Sequence, residues 1–341
     1  MRRGDFILGS DVSAFEDEFA AFLNASHCLG LSNGTQALEL ALTAARIPKG
    51  SRVILPAFTF IATAAAVVHA GLRPLLVDCT ETSLLIDPAA VSRAITAGVR
   101  AVIAVNLFGQ AAPLLRLSQI AAESGLLLIE DAAQSHSATH FGHHMGHFST
   151  AAATSFYPGK NLGAYGDAGA VITNSATIAA NVRLLRDHGS ARKNVHTVIG
   201  TNARMDVLQA IVLRAKLGHL LEWDRLRAKA AVTYDSLLGA NERIRLPCTE
   251  PNNEHSWHLY VVRVPDRDRV FERMRRIAIG VGIHYPTPIH CQEAFRYLRR
   301  PAGSFPVAEA AAGQVLSLPL YPGITIDTQE RVAAALIAAL N

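Results

Sequence analysis

The chain has 341 residues, of which half are hydrophobic and 18% charged, a composition that excludes a disordered protein and suits one with a large buried core. Its formal charge of +4 is scattered, with no long Lys/Arg run, which suits a small anionic ligand and argues against nucleic-acid binding. Cys28, Cys79, Cys248 and Cys291 lie far apart, without a CxxC pair, and no secretory leader is read, so a reducing cytoplasm is expected and a disulfide framework is not.

From residue 29 to about 173, the apolar runs RVILP, RPLLVD, AVIAVN, LLLIED and AGAVIT alternate with helical segments. That alternation predicts an α/β sheet of parallel strands buried on both faces. The first helix, TQALELALTAA, keeps Ala37, Leu38, Ala41, Leu42 and Ala45 on one face. Ser32-Asn33-Gly34-Thr35 precedes it. Those residues either cap the helix or, with Gly34 permitting close approach, turn free N–H groups toward a phosphate. FIATAAAVVHAGL is too short to cross a bilayer and reads as a buried helix, and Pro88 suits the first turn of PAAVSRAIT.

Ligands of such sheets sit beyond the carboxyl ends of the strands. LLLIED ends there on Asp131, which is either a helix N-cap or a fixed anion for a cationic ligand. In HFGHHMGH, Gly142 and Gly146 argue against the regular helix that would gather His140, His143, His144 and His147, so no metal site is expected. Lys160 lies in SFYPGKNLGAYGDAG. A solvated surface amine is the ordinary reading; its apolar, aromatic approach supports the other, a desolvated and nucleophilic one.

A helical stretch from about Met205 to Leu238 places Leu208, Ile211, Val212, Ala215 and Leu220 on one side. A strand at WHLYVVRV, a helix at RVFERMRRIAI, a strand near GIHY and a helix at QERVAAALIAAL follow. The domains expected are an N-terminal segment with the large α/β unit over 1–204, a connecting helix over 205–240 and a small α+β unit over 241–341. No internal repeat is visible. A nucleophilic lysine, a carboxylate for a pyridinium nitrogen and a phosphate cradle are together what pyridoxal phosphate requires.

SNGTQALELAL, LPAFTFIATAAAV, VDCTETSLLIDPAAVSRAIT, AVIAVNLFGQ, LLLIEDAAQSHSA, SFYPGKNLGAYGDAGAVIT, GTNARMDVLQAIVLRAKLGHL and HYPTPIHCQEAF occur in an order that resembles the DegT/StrS family of sugar aminotransferases over nearly the whole chain. The resemblance implies the fold type I aminotransferase architecture, a mainly parallel α/β domain with a smaller C-terminal one, and pyridoxal 5'-phosphate as cofactor, passing through pyridoxamine phosphate. It implies that Lys160 holds the cofactor covalently and moves the proton, that Asp131 pairs with the pyridine nitrogen, and that Gln134 lies beside the phenolic oxygen. Phe60 would stack on the ring, and Gly34, Thr35 and Ser155 would hold the phosphate. Asn202 would reach the cofactor of a second subunit, which implies a homodimer with shared sites.

GDFILGSDVSAFEDEFAAFL and HGSARKNVHTVIGTNARMDVLQAIVLRAKL resemble the members that aminate C3 of a dTDP-linked 3-keto-6-deoxyhexose, with L-glutamate as donor. Tyr157, His284 and Tyr285 match positions that meet the nucleotide-sugar, and Arg192 and Lys193 suit its diphosphate. Plain packing for Tyr157 and a strand-ending turn for HYPTP are the alternatives. Gln36 and Asn194 depart from the aspartate and tyrosine frequent in that group, and relatives usually carry a further helical segment ahead of MRRGDFILG. Competing functions are amination at C4 or of a keto-cyclitol, a deoxygenating dehydratase, against which Lys160 argues, and a sensor that keeps the fold without catalysis.

Overall fold

A computed structural model describes residues 4 and 6–341, so the opening of MRRGDFILG and Asp5 of GDFILG lie outside the described residues. The N-terminal half carries the strands β1 (His27–Leu31), β2 (Arg52–Pro56), β3 (Arg73–Val77), β4 (Val99–Val105), β5 (Leu127–Asp131), β6 (Thr139–His140), β7 (Ala151–Ser155) and β8 (Gly169–Thr173). Its helices are α1 (Ser10–Leu23), α2 (Gly34–Ala44), α3 (Ile61–His69), α4 (Pro88–Ala94), α5 (Leu114–Glu123) and α6 (Ala176–Arg186). All of these strands except β6 form one seven-stranded sheet in the order β1-β8-β7-β5-β4-β2-β3.

The RVILP, RPLLVD, AVIAVN and LLLIED runs are parallel neighbours, as their two-faced burial implies. AGAVIT is not: β8 runs antiparallel to both β7 and β1. A fully apolar run reports burial on both faces and is silent about direction. HCLGL and the alanine-rich AAATS are also strands of this sheet. Reversal of β8 has a consequence for function, because the loop joining β7 to β8 lies at the same carboxyl edge where the parallel strands end.

α2 buries Ala37, Leu38, Ala41 and Leu42 on the expected face, and Asn33 caps it by accepting a hydrogen bond from the Gln36 N–H at 2.9 Å. α3 is the buried helix of FIATAAAVV, and Pro88 opens α4 behind the Asp87 cap. Among the described residues no helix is long and apolar enough to cross a membrane. α1 stacks Phe15 and Phe19 edge-on against Phe156, the residue after Ser155, with all three fully buried.

The expected helix from Met205 to Leu238 is two helices, α7 (Val207–Leu217) and α8 (Leu220–Leu238), interrupted at Gly218 and His219. Its buried face also differs: Val207, Ala210 and Leu213 face inward, whereas Leu208 and Ile211 are 46% and 39% exposed. Both faces of α7 carry apolar residues, so spacing alone could not choose between them. Ahead of α7 stands the hairpin of β9 (Ser190–Arg192) and β10 (Val195–His196).

Beyond α8 come β11 (Asn253–Glu254), β12 (Tyr260–Arg263), α9 (Arg267–Arg276), α10 (Pro306–Gln314), β13 (Val315–Leu318) and α11 (Ile326–Leu340). β12 pairs antiparallel with β13, over a core in which Tyr234 of α8 meets Tyr260, Leu316 and Leu336. GIHY is not a strand; it meets this ribbon through the bridge between Gly282 and Ser317 and the contact of His284 with the Ser317 side chain. The pairing partner is VLSL, a four-residue run directly after α10 that leaves no turn signal to mark it.

Candidate active site

A cavity of about 350 Å³ lies at the carboxyl edge of the large sheet. Five strand ends contribute to its wall: Asn33, Gly34 and Thr35 after β1, Thr59 and Phe60 after β2, Asn106 after β4, Asp131 and Gln134 at and after β5, and Ser155 at the end of β7. Lys160, Tyr157 and Asp167 come from the β7–β8 loop, which the reversal of β8 brings to this edge. His284 and Tyr285 enter from the C-terminal region and close the cavity.

Burial pushes the Lys160 ammonium down to about 8 from its ordinary 10.5, and the opposing attraction of Asp131 recovers only part of the loss. Asp131 is itself raised by burial, while Thr63, the Ala133 N–H and Lys160 pull it back toward the anion. No helix follows Asp131. Its Oδ1 accepts instead from the Ala133 N–H at 3.3 Å, and its Oδ2 accepts from Thr63 Oγ1 at 2.7 Å. The N-cap reading is therefore replaced by a half-buried carboxylate with its own donors. Nearby histidines stay neutral: burial, with Lys160 adding to it, brings His136 down to about 3 and also lowers His258 and His284.

At the opposite wall, the start of α2 comes so close to β7 that a Cβ on Gly34 would sit 2.6 Å from Cβ of Ser155. Asn33 satisfies the Gln36 N–H, while the N–H groups of Gly34 and Thr35 have no acceptor among the described residues. Gly169 at the start of β8 backs onto the same turn, where a Cβ would meet the Asn33 carbonyl carbon at 2.5 Å. Capping and anion binding are thus compatible here, because the cap uses one donor and leaves the first two free.

Gln134 is held at both ends of its amide, with Oε1 accepting from the Phe108 N–H at 2.6 Å and Nε2 donating to the Tyr285 hydroxyl at 2.8 Å. The ring of Tyr285 lies 5.4 Å from that of Phe60, which is 51% exposed and projects into the cavity. His284 is oriented by Ser317 Oγ, 2.8 Å from its Nδ1.

Three expected residues lie outside this wall. Arg192 and Lys193 are exposed on the β9–β10 hairpin, and Asn202 is exposed beside Asp187, its Oδ1 accepting from Arg204 Nε at 3.1 Å. The histidine stretch does not converge: His140 bonds Asn253, His144 faces the Ala138 carbonyl, and His143 stacks on His147 with centroids 3.6 Å apart. Thr59, Thr63, Asn106 and Asp167 belong to or support the site without having been singled out from sequence. Thr63 left a usable signal, a hydroxyl on the buried face of an otherwise apolar helix.

Free N–H donors in a notch only glycine can line, a half-buried amine of depressed pKa and a half-buried carboxylate fit the phosphate, aldehyde and pyridine nitrogen of pyridoxal phosphate. The erythromycin biosynthesis sensory transduction protein EryC1 of Saccharopolyspora erythraea is 46% identical over 335 residues, 98% of this chain and 92% of that one. A dTDP-3-amino-3,4,6-trideoxy-alpha-D-glucose transaminase of Streptomyces venezuelae is 41% identical over 97% of this chain and 88% of its own. The crystal structure of S. venezuelae DesV in complex with a ketimine intermediate superposes with a TM-score of 0.97 at 40% identity, covering 100% of this chain and 92% of that one. The DegT/DnrJ/EryC1/StrS aminotransferase family matches residues 1–337, and the chain belongs to that family, as a pyridoxal phosphate-dependent transaminase with the fold type I architecture.

Proposed function

We propose that the protein transfers the amino group of an amino acid, L-glutamate, to a keto-sugar nucleotide, aminating C3 of a dTDP-linked 3-keto-6-deoxyhexose. The transaminase part rests on one observation, the confinement of Lys160, Asp131 and the Gly34–Thr35 turn to a single cavity. The sugar part is supported by the 41% identity to a dTDP-3-amino-3,4,6-trideoxyglucose transaminase. EryC1, more similar still, carries a sensory name, yet a sensor has no use for a half-buried lysine whose pKa is pushed down to about 8 beside a carboxylate and a phosphate-sized notch.

When bound, pyridoxal phosphate supplies an electron-accepting ring that lets the carbon next to a substrate nitrogen release its proton. The neutral Lys160 amine would take that proton and return it to the carbon on the other side of the same nitrogen, a role its depressed pKa suits. The Asp131 anion would hold a proton on the pyridine nitrogen, and Thr63 would keep the carboxylate ionised and aimed. Gly34, Thr35 and Ser155 would bind the phosphate, Gln134 would face the phenolic oxygen, and Phe60 would cover the ring. Tyr157, His284 and Tyr285 would meet the sugar nucleotide.

Arg192, Lys193 and Asn202 fit this reading only across a subunit interface, with the two diphosphate residues and the phosphate contact given to a second copy. Exposed Val195, Val198 and Ile199 on the same hairpin, with Leu208 and Ile211 on α7, supply apolar surface for a homodimer. The division at residues 204 and 240 and a reducing, cytoplasmic setting for the four unpaired cysteines belong to the same proposal.

The test is the visible spectrum of protein loaded with pyridoxal phosphate. Loss of the lysine-linked band on adding L-glutamate, followed by its return when a dTDP-3-keto-6-deoxyhexose is added, is the expected result. A band that returns only with 4-keto-sugar nucleotides or keto-cyclitols would refute the sugar assignment, and a band indifferent to every amino donor would refute transamination.

A further inference from the structure

Lys160 has four rotatable bonds between its Cα and its amine, so its reach is useful only if the backbone end is fixed. The loop around it supplies little of that fixation: the Lys160 N–H bonds the Tyr157 carbonyl at 2.8 Å, and the next cross-loop bond is Ala164 N–H to the Phe156 carbonyl, also 2.8 Å. The neighbouring residue is anchored far more firmly. Asn161 is buried at 5% exposure; its Nδ2 donates to Asp224 Oδ1 at 2.7 Å and to the Ser256 carbonyl at 2.7 Å, and its Oδ1 faces His258 Nδ1 at 3.2 Å. Both donors and the oxygen of that amide are therefore engaged.

Asp224 is the strongest partner in the set, since a carboxylate acceptor makes a charge-assisted bond. It sits on α8, outside the cavity wall, and is 9% exposed. Its second oxygen accepts from Ser137 Oγ, on the segment that follows Asp131 and Gln134. Burial raises Asp224, and Ser137 and Asn161 are the main groups holding it toward the anion. Ser256 is in turn tied to Gly109, whose neighbour Phe108 binds Gln134. A buried acid that touches neither cavity nor solvent-facing partner thus joins α8, the loop bearing the lysine and the segment after β5.

We propose that Asp224 is a positioning residue for the reaction: through Asn161 it fixes the backbone from which Lys160 reaches into the cavity. The inference rests on the assignment of Lys160 as the residue that bonds pyridoxal phosphate. Asp224 acts by placement and not by its charge, because Asp131 is the one charged group that acts on the Lys160 amine. Ser137 touches Asp224 and not Asn161, so its hydroxyl is dispensable for the effect.

The experiment mixes apoprotein with pyridoxal phosphate and follows two signals: tryptophan fluorescence for cofactor entry and the visible band for attachment to lysine. Asp224→Ala and Asn161→Ala are each expected to leave entry within about threefold of wild type and to slow attachment by about tenfold or more, the scale of a misplaced reacting group. The double variant is expected to be no slower than either single one, since both remove the same tether. Ser137→Ala is expected to attach at the wild-type rate. Wild-type attachment in folded Asp224→Ala, or slowing that multiplies in the double variant, would overturn the proposal. If Asp224→Ala does not fold, Asp224→Asn decides beside Asn161→Ala: its amide oxygen still accepts from Asn161, so attachment near the wild-type rate is expected while Asn161→Ala is slow, and tenfold slowing in Asp224→Asn overturns placement as its role. Failure of wild type to develop any band would instead overturn the assignment of Lys160.

Discussion

Thr63 Oγ1 lies 2.7 Å from Asp131 Oδ2 and 2.9 Å from Thr59 Oγ1, which sets a direction along the three groups. A carboxylate can only accept, so Thr63 donates to Asp131 and must itself accept from Thr59. Both hydroxyls are buried, with Thr63 wholly so. Thr63→Val keeps the shape and deletes the donor to a charged group, a bond of about 1.5–3 kcal/mol. Part of that loss falls on the apoprotein. The affinity for pyridoxal phosphate is expected to fall about tenfold, roughly 1.4 kcal/mol, and to recover in Thr63→Ser. Fluorescence titration with the cofactor measures it; unchanged affinity in Thr63→Val would reduce Thr63 to packing.

Lys160 gives a pH dependence whose sign can be worked out. Its folded pKa of about 8 lies below the 10.5 of an unfolded chain. Below pH 8 both states hold the proton, and between 8 and 10.5 only the unfolded state does, so stability of the apoprotein gains from this group as pH rises through that window. Lys160→Met removes the gain. The difference in urea midpoint between the two proteins is therefore expected to narrow from pH 7.5 to pH 10. Attachment of pyridoxal phosphate needs the neutral amine, so its rate should rise with an inflection near 8. Asp131→Asn removes the one charge that raises the lysine and should move the inflection lower.

The chemistry of the site was more legible than its architecture, for physical reasons. Lys160, Asp131 and the Ser-Asn-Gly-Thr turn stand out because a charge inside apolar sequence and a polar turn before a helix are local signals. The β8 direction, the break at Gly218 and the VLSL strand depend on contacts far away in the chain, and no local residue pattern encodes them. Asp224 was invisible for the same reason: on a long polar helix an aspartate reads as a solvated charge, and only the fold buries it against Asn161. Leu208 and Ile211 misled because an apolar face left exposed has the same spacing as one packed on the core.

Gly34 and Gly169 should be intolerant of alanine through lack of space, since neither has a left-handed backbone. A Cβ on Gly169 would meet backbone atoms of Asn33 and Gly34 at 2.5 to 2.7 Å, and backbone at a helix start cannot move cheaply. Each substitution is expected to cost about 1–3 kcal/mol and to weaken cofactor binding by spreading the turn from β7. Gly313→Ala provides the contrast, because that helical glycine of α10 has nothing within 4 Å of the added carbon. It should stabilise by about 0.5–1 kcal/mol. Thermal unfolding of the three variants tests the difference in sign.

Asn202 distinguishes a self-contained site from a shared one. Within its own chain it faces Arg204 and lies outside the cavity, so removal of its side chain should be silent if the protein works as a monomer. If instead it binds the phosphate held by a partner subunit, Asn202→Ala should lower the affinity for pyridoxal phosphate while leaving stability nearly unchanged. Lys160→Ala should be inactive at any cofactor concentration. Once the variants are mixed and allowed to exchange subunits, a mixed two-fold dimer gathers both losses in one site and leaves the other with Lys160 and Asn202 intact. Half of the dimers become mixed, and each of these has one site with both residues intact, so about a quarter of all sites are restored. Under limiting cofactor the mixture should therefore be more active than the mean of the two parent proteins. Activity equal to that mean, or sedimentation as a monomer, would confine each site to one chain and remove Asn202, Arg192 and Lys193 from it together, because all three depend on the same crossing between subunits.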